Sequence, residues 1–264
     1  MRFIDTHTHL YLPEFEADGD SGRKAVERAI DAGVAHMIFP NVDNSTVEPM
    51  ERLADIYPDN ISVAMGLHPT EIGDGWRDRL AEILEHADCG RPYVAIGEVG
   101  IDLYWDKSYE EAQMQAFELQ ALKAVDKGLP LIIHCRDGLS QALEVLQGVA
   151  GVKGVFHSFG GTTEDVDAIR RVGDFYFGIN GIVTFKNSKL KDTLPAIGIG
   201  RTVIETDSPY LAPVPKRGKR NESSYLPYIA EFIAQASGMS VDDVAELTSK
   251  NATELFSLNL QREY

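Results

Sequence analysis

The sequence predicts a closed (β/α)8 barrel of the α/β class, and two observations support this prediction. Short runs rich in β-branched, aromatic and other apolar residues recur about every thirty residues along the 264-residue chain, and a helical pattern follows each run. The first run leads directly into Asp5-Thr6-His7-Thr8-His9, whereas an open sheet that binds a nucleotide usually carries a glycine-rich turn there. Eight repeated βα units of this kind favour the barrel over an open, doubly wound sheet.

Eight strands and several helix boundaries are predicted in chain order. The strands are Arg2–Asp5, Val34–Phe39, Ile61–Met65, Tyr93–Ile96, Leu131–His134, Gly154–His157, Phe175–Ile179 and Thr202–Ile204. Ser108 and Glu111 predict a capping box at the start of one helix. Gly128 followed by Pro130 predicts the end of that helix. Two further helix starts pair a hydroxyl residue with an aspartate three positions later, Thr162 with Asp165 and Ser240 with Asp243.

The chain is expected to form a single domain over residues 1–264. Its composition, 44% hydrophobic and 25% charged, fits a soluble globular domain and excludes a disordered chain. No shift in composition and no Gly/Ser-rich linker divides the sequence. The formal net charge of −16 repels polyanions at long range, so binding of nucleic acid requires a local site.

We expect a cytoplasmic protein that does not associate with membranes. No run approaches the ~18 consecutive apolar residues that a membrane-spanning helix needs. Polar residues stand near the N-terminus, where a secretory signal would be apolar. Two cysteines, Cys89 and Cys135, are too few for a disulfide framework in a chain of this length, so we expect free thiols in a reducing compartment.

His7 and His9 form the first candidate metal-ligand pair. They are two residues apart at the end of a predicted strand, so the alternation of side chains sends both imidazoles to the same side. The preceding buried strand would carry them to the C-terminal mouth of a barrel, where barrel enzymes hold their active sites. Taken alone, the pair could equally be two solvated histidines near the N-terminus.

Other predicted strands also end in residues of metal-binding type: Glu98 directly after Tyr93–Ile96 and Gly97, His134, His157, and Asp207 just beyond Val203–Glu205. Each residue alone has an ordinary explanation as a solvated charge or a core histidine. Their joint occurrence at equivalent strand ends predicts one site. Four histidines, one glutamate and one aspartate exceed what one tetrahedral ion needs and suit two ions that share a carboxylate.

Six short motifs together resemble the TatD family of metal-dependent deoxyribonucleases, within the amidohydrolase superfamily. They are His7-Thr8-His9, Gly66-Leu67-His68-Pro69, Gly97-Glu98-Val99-Gly100-Ile101-Asp102, Ile133-His134-Cys135-Arg136, His157-Ser158-Phe159 and Glu205-Thr206-Asp207-Ser208-Pro209. The motifs occur in order along the whole chain. The resemblance implies a (β/α)8 TIM barrel with its site at the C-terminal ends of the strands, and a 3′ to 5′ exonuclease or related phosphodiesterase activity.

The resemblance also implies how two divalent ions are held. One ion would be bound by His7, His9, Glu98 and Asp207, and the second by Glu98, His134 and His157, with Glu98 bridging. Zinc, manganese and magnesium are the candidate ions, and histidine-rich ligation suits zinc, manganese or iron better than magnesium. Asp207 would also orient the attacking water and accept its proton, which makes Asp207 and Glu98 candidate catalytic residues.

Two residues near these motifs are candidate substrate contacts. His68 precedes Pro69, which restricts it toward an extended conformation, so it is either an ordinary turn histidine or a residue that faces the mouth. The resemblance favours a catalytic contact to a phosphate oxygen. Arg136 lies on the same side as His134 if the strand persists, and it is either a phosphate ligand or a partner in a surface ion pair. Cys135 alternates to the opposite side and is expected in the core.

A long proline-containing loop after Asp207 is a candidate binding loop, and a new helix is expected near Ser224. The loop holds four cations within five positions: Lys216, Arg217, Lys219 and Arg220. A basic run is often only a solvated surface, but its place beside the site favours substrate binding. The family typically has Arg-Gly-Lys-x-Asn-Glu-Pro here, whereas this chain has serine at the last position, Ser223.

The predicted function is therefore a divalent-metal-dependent hydrolase that cleaves phosphodiester bonds from the 3′ end of single-stranded or frayed DNA. One alternative is an amidase, lactonase or aminoacyl-ester hydrolase on the same barrel. Many of those enzymes bridge their metals with a lysine carbamate, but no lysine lies between Tyr93 and Trp105. A second alternative is a non-catalytic metal-binding protein that docks a partner. The oligomeric state is left open.

Overall fold

The computed structural model describes residues 2–19, 21–89 and 91–260, and within them the strands form one parallel eight-stranded sheet. The strands pair in the order of the sequence. They are β1 Phe3–Asp5, β2 Val34–Pro40, β3 Ile61–Met65, β4 Ala95–Asp102, β5 Leu131–Arg136, β6 Gly154–Phe156, β7 Tyr176–Ile179 and β8 Thr202–Ile204.

The segments that follow β8 and β1 close the sheet into a barrel. The backbone N–H of Asp207 donates to the carbonyl oxygen of His7 over 2.9 Å. One residue further along, Thr8 and Ser208 form a parallel bridge. The predicted (β/α)8 TIM barrel is thus confirmed, and the first and last strands are neighbours.

Helices alternate with the strands. Within the described residues they are α1 Arg23–Asp31, α2 Val47–Ile56, α3 Trp76–Asp88, α4 Glu110–Lys127, α5 Leu139–Gly148, α6 Thr163–Val172, α7 Leu190–Ile197, α8 Leu226–Ser237 and α9 Val241–Phe256. Helix α6 starts after Thr162 as predicted, and Thr162 and Asp165 form a capping box there. Ser240 caps α9 as predicted, because its hydroxyl oxygen accepts from the backbone N–H of Asp243 over 3.1 Å. None of the described helices has both the length and the apolar character needed to cross a membrane.

The start of α4 differs from the prediction. The helix begins at Glu110, its N-cap residue is Tyr109, and the Tyr109 side chain makes no capping hydrogen bond, so the capping box predicted at Ser108 is wrong. The Asp106 carboxylate accepts the backbone N–H of Ser108 over 2.8 Å, which folds this segment into a turn instead. The end is as predicted, because Gly128 terminates α4 in the left-handed conformation with φ 68°.

Strand β4 is longer than predicted. The sequence predicts Tyr93–Ile96, whereas β4 spans Ala95–Asp102, so the prediction that Glu98 follows this strand is wrong. Strand β5 likewise continues past His134 to Arg136. The last residues of β4 and β5 pair with each other, and this pairing keeps a glycine-containing, polar segment extended.

A bulge in β4 directs Glu98 toward the barrel axis. Ile96 pairs with Leu131 of β5. The next pair joins Val99 to Ile133, so β4 advances three residues while β5 advances two. The extra residue in β4 is the bulge. Val99 packs in the helix-facing core, and the side chain of Glu98 points the other way, into the barrel. The bulge therefore places a carboxylate where regular alternation from Ala95 would have turned it outward.

The barrel interior is filled by one side chain from each strand, which are Ile4, Ile38, Ala64, Ala95, Ile132, Val155, Tyr176 and Val203. Leu255 and Phe256 of α9 belong to the same cluster. Asn251 of α9 donates to the carbonyl oxygen of Thr202, at the start of β8, over 2.7 Å. Helix α9 therefore covers the N-terminal end of the barrel, which leaves the opposite end for the polar residues. Cys135 packs against the helix-facing core, as predicted.

Candidate metal centre

Glu98 lies at the centre of the C-terminal mouth, and its two carboxylate oxygens face different imidazoles. Its Oε2 lies 3.2 Å from Nε2 of His7 and 3.6 Å from Nε2 of His9. Its Oε1 lies 3.0 Å from Nδ1 of His134 and 2.7 Å from Nε2 of His157. These side chains come from four strands or their extensions, with His7 and His9 both directly after β1. One buried carboxylate therefore joins two groups of ligand atoms.

Asp207 borders the group that contains His7 and His9. Its Oδ1 lies 3.7 Å from Nε2 of His7 and 3.9 Å from Nε2 of His9. The residue adopts a left-handed backbone conformation with φ 56°, which aspartate tolerates better than most side chains. Burial, and then the negative charge of Glu98, raise the pKa of Asp207 to about 8. A cation between these carboxylates would favour the ionised forms of both.

Asp102 orients the ring of His134. Its Oδ2 lies 2.9 Å from Nε2 of His134. Although burial opposes ionisation, the hydrogen bond from His134 lowers the pKa of Asp102, so this carboxylate can only accept. Nε2 of His134 therefore carries a proton, and Nδ1, which faces Glu98, is the nitrogen that would bind a metal ion. A carboxylate behind a histidine is the usual outer partner of a metal-bound imidazole.

Tyr11 orients the ring of His9 in the same way. The hydroxyl of Tyr11 donates to the carbonyl oxygen of Pro40 and lies 2.8 Å from Nδ1 of His9. Because the hydroxyl proton is already donated, Nδ1 of His9 donates to the hydroxyl oxygen. The lone pair of His9 is consequently on Nε2, 3.0 Å from Nε2 of His7.

Glu205 is a further buried carboxylate at the site. Its Oε1 accepts the backbone N–H of Ser158 over 2.5 Å and lies 3.5 Å from Nδ1 of His157. Burial opposes protonation of His157, but the charges of Glu98 and Glu205 raise its pKa well above the usual range. Ligand atoms of Glu205, His157 and His7 lie within 4.8 Å of one another.

Divalent cations fit this arrangement. Nε2 of His7 and Nε2 of His9 lie 3.0 Å apart and both face Oε2 of Glu98, so three potential metal-ligand atoms converge in a buried space. Burial lowers the pKa of His7 to about 4 and that of His9 to about 3, so both imidazoles are neutral and offer lone pairs at pH 7. Two further groups of ligand atoms within 4.8 Å contain Glu98: one with His7 and His9, the other with His68 and His134.

His68 faces the same centre as a hydrogen-bond donor. Its Nδ1 accepts the backbone N–H of Thr70 over 3.2 Å, so the neutral ring carries its proton on Nε2. That Nε2 lies 3.1 Å from Oε1 of Glu98. An N–H suits a phosphate oxygen better than a metal ion, and the substrate contact of His68 stays a prediction.

Arg136 lies at the rim of the mouth. Its guanidinium stacks on the ring of Tyr104, with 3.6 Å between Cζ and the ring centroid. Strand β5 persists to this residue, as the prediction required. The surface ion pair considered as the alternative is not formed with any carboxylate of the described chain.

The four cations of the basic loop differ in their surroundings. Lys216 and Arg220 are half-buried over aromatic rings, Lys216 near Tyr225 and Tyr228, and Arg220 over Phe15. Arg220 also donates to the carbonyl oxygen of Glu14 over 2.8 Å. Arg217 and Lys219 are exposed, with Arg217 over the ring of Phe185. Substrate binding by these four residues stays a prediction, and the exposed pair is better placed for it.

Three site residues escaped the sequence analysis: Tyr11, Asp102 and Glu205. Tyr11 continues the alternation of His7 and His9 by two more residues, which is a usable signal. Glu205 follows a buried strand directly, and a buried carboxylate usually has a charged partner. Asp102 had no separate signal, because its role depends on the extension of β4.

Known proteins similar to this chain identify its family. The family model described as TatD related DNase matches residues 4–257. The uncharacterized metal-dependent hydrolase YabD of Bacillus subtilis (strain 168) is 37% identical over 259 residues, which cover 97% of this chain and 99% of YabD. The 3′-5′ ssDNA/RNA exonuclease TatD of Pectobacterium parmentieri (strain WPP163) is 32% identical over 263 residues, or 97% and 99% of the two chains.

A solved structure shows the same fold. The crystal structure of YJJV, a TatD homologue from Escherichia coli K12, superposes with a TM-score of 0.85 at 26% identity and covers 97% of this chain and 98% of its own. The match to the family model extends over nearly the whole chain. The chain belongs to the TatD-related DNase family of metal-dependent hydrolases.

Proposed function

We propose that the protein is a two-metal phosphodiesterase that removes nucleotides from the 3′ end of single-stranded or frayed DNA. The observation that carries the proposal is the position of the Glu98 carboxylate between two pairs of histidines. Its Oε2 faces His7 and His9, and its Oε1 faces His134 and His157. Two ions about a shared carboxylate suit phosphodiester hydrolysis, in which both the attacking and the leaving oxygen carry charge. The name of the Pectobacterium relative supports the choice of substrate and polarity.

In this proposal the two ions share one ligand, Glu98. His7, His9, Glu98 and Asp207 would hold one ion, and Glu98, His134 and His157 would hold the other. When bound, the ions make a water molecule more acidic and compensate negative charge on the phosphate. Asp102 and Tyr11 act behind the ligands, because they keep the lone pairs of His134 and His9 directed at the centre.

Side chains of the protein carry out proton transfer and bind the substrate. Asp207 orients the attacking water and takes its proton on a carboxylate oxygen. His68 donates its Nε2 proton in a hydrogen bond to a phosphate oxygen, and Thr70 fixes the required tautomer. Arg136 and the exposed cations of the basic loop, Arg217 and Lys219, attract the strand to an otherwise acidic protein.

A nuclease assay tests the proposal against the other hydrolase classes. A 5′-labelled oligodeoxynucleotide, single-stranded or annealed with a frayed 3′ end, is incubated with Zn²⁺, Mn²⁺, Mg²⁺ or a chelator. We expect a ladder of products shortened from the 3′ end that requires a divalent ion and is lost in Glu98→Gln. Hydrolysis of amides, lactones or aminoacyl esters, with intact oligonucleotides in every metal, would overturn the proposal.

A further inference from the structure

An exposed aromatic pair stands beside the metal centre in the segment between β4 and α4. Tyr104 is 52% exposed and Trp105 is 74% exposed. Their rings pack edge to face, with centroids 4.8 Å apart and planes at 89°. The guanidinium of Arg136 covers Tyr104 and lies 5.4 Å from the Trp105 centroid. Large aromatic surfaces are seldom left in water without a partner, so this one requires an explanation.

The pair is tied directly to the metal site. Asp102, which orients His134 through Oδ2, accepts the backbone N–H of Tyr104 on Oδ1 over 3.0 Å. Arg136 lies only two residues beyond His134 on β5, about 7 Å along the strand. A second backbone bond joins Leu103 N–H to the carbonyl oxygen of Arg136 over 2.9 Å. The segment that carries the rings is therefore hydrogen-bonded to the strand ends that carry Asp102 and His134.

We propose that Tyr104, Trp105 and Arg136 form a stacking platform for a nucleobase of the single-stranded substrate, next to the phosphodiester that is cleaved. This inference rests on the proposed function and adds to it the part of the substrate that these residues recognise. Stacking on aromatic rings tolerates any base sequence, because every base has a flat π-face.

The exposed ring faces favour a base over a phosphate, because a base is flat and can stack on an aromatic ring whereas a phosphate cannot. Arg136 already uses one guanidinium face on Tyr104, and a planar cation of this kind adds to base stacking. Because only an unpaired base can present its face, the platform would also give the enzyme the proposed preference for single-stranded or frayed ends.

Intrinsic fluorescence provides a direct readout, because the chain has only two tryptophans, Trp76 and Trp105. Trp76 is 6% exposed, so Trp76→Phe leaves Trp105 as an accessible reporter, whereas Trp105→Phe leaves a buried one. The metal-loaded variants are titrated with a short phosphorothioate oligodeoxynucleotide, which is cleaved slowly, and with the same strand made abasic at its 3′ end. We expect the intact strand to quench Trp105 and not Trp76, and the abasic strand to quench neither.

Steady-state kinetics on the same oligonucleotide complete the test. Trp105→Ala should raise KM by about 5- to 100-fold with little change in kcat, whereas Trp105→Phe should retain most of the affinity. Leu122→Ala, which removes another half-exposed apolar side chain from α4, is the matched control and should leave KM unchanged. In Trp105→Ala, the abasic and the intact strand should have similar KM values.

The possible results test the stacking platform and the nuclease activity independently. Hydrolysis with no quenching of Trp105 and an unchanged KM in Trp105→Ala overturns the platform and leaves the nuclease proposal standing. Base-dependent quenching without hydrolysis in any metal supports the platform and overturns the nuclease proposal. A fall in kcat equal to the rise in KM, not restored in Trp105→Phe, would make Trp105 a structural residue and would also overturn the platform.

Discussion

Asp102 accepts a hydrogen bond from Nε2 of His134 over 2.9 Å and thereby holds Nδ1 of this histidine toward Glu98. The contact links the ends of two adjacent strands, because Asp102 is the last residue of β4 and His134 lies in β5. The orientation of one side of the metal centre thus depends on the length of β4. Tyr11 has the corresponding role for His9 on the other side.

This relationship predicts a specific defect in Asp102→Asn. The amide can present its N–H₂ to Nε2 of His134, which would move the ring proton to Nδ1 and remove the lone pair from the centre. Metal affinity should fall by about 10- to 100-fold, with activity recovered at excess metal. Isothermal titration with Zn²⁺ or Mn²⁺ measures the affinity. Asp106→Asn, in the following loop, is the control, and equal affinities of the two variants would show that Asp102 does not position His134.

Asp207→Asn should separate catalysis from metal binding. Asparagine keeps the size and one oxygen of Asp207 but cannot accept the proton of the attacking water. We expect most of the metal to remain and the rate to fall by about 10²- to 10⁴-fold, because positioned acid–base catalysis contributes that much. A single-turnover assay at saturating metal and substrate, with the metal content of the same sample, measures both. A rate near that of the unmodified protein would exclude Asp207 as the base and direct attention to His68.

Removal of the basic loop's charges should weaken capture of long substrates. Alanine at Lys216, Arg217, Lys219 and Arg220 together is expected to flatten the salt dependence of KM for oligonucleotides, because fewer counterions are released on binding. Cleavage of a minimal phosphodiester should change little. The double variant of Arg217 and Lys219 should produce most of the effect, since these two side chains are the exposed ones.

The control for this loop removes the same number of charges elsewhere. Lys123 and Lys127 of α4 both pair with Asp88 on α3, at 2.8 Å each. Their replacement by alanine should leave the salt slope unchanged. If both double variants give the slope of the unmodified protein, the basic loop is a solvated surface with no part in binding.

The two cysteines should differ in reactivity. Cys89 is exposed, whereas Cys135 packs partly against the core, and burial raises the pKa of the Cys135 thiol to about 12. The reactive thiolate is therefore scarce at Cys135 near neutral pH. Iodoacetamide at pH 7.5, followed by peptide mass spectrometry, should label Cys89 first. Equal rates at both positions would contradict the packing of Cys135.

The sequence predicted much of the fold because the local signals agreed. Strand β3 has the predicted limits, and the candidate ligands cluster because strand ends in a barrel share one mouth. Glu98 was predicted as a ligand because it was expected to follow a strand that ends at Ile96, but it lies inside β4. The bulge that directs it inward depends on pairing with β5, which no local pattern reveals.

The site residues that the sequence analysis missed also depend on contacts between distant segments. Asp102 and Tyr11 act through hydrogen bonds between segments far apart in the chain, and Glu205 through its contact with His157. Such partners become visible only once the strands are in register. The capping box predicted at Ser108 does not form, because the Asp106 carboxylate accepts the backbone N–H of Ser108 that Glu111 was expected to accept.

The metal content of Glu98→Ala tests the bridged two-metal centre most directly. The unmodified protein and the variant are reconstituted with Zn²⁺ or Mn²⁺, freed of excess ion and analysed by inductively coupled plasma mass spectrometry. Glu48→Ala, which removes an exposed glutamate of α2, serves as the control. The unmodified protein and the control should hold two ions per chain, and Glu98→Ala should lose both, because the shared carboxylate neutralises two neighbouring cations. Two ions retained in Glu98→Ala would contradict the bridging role of this residue.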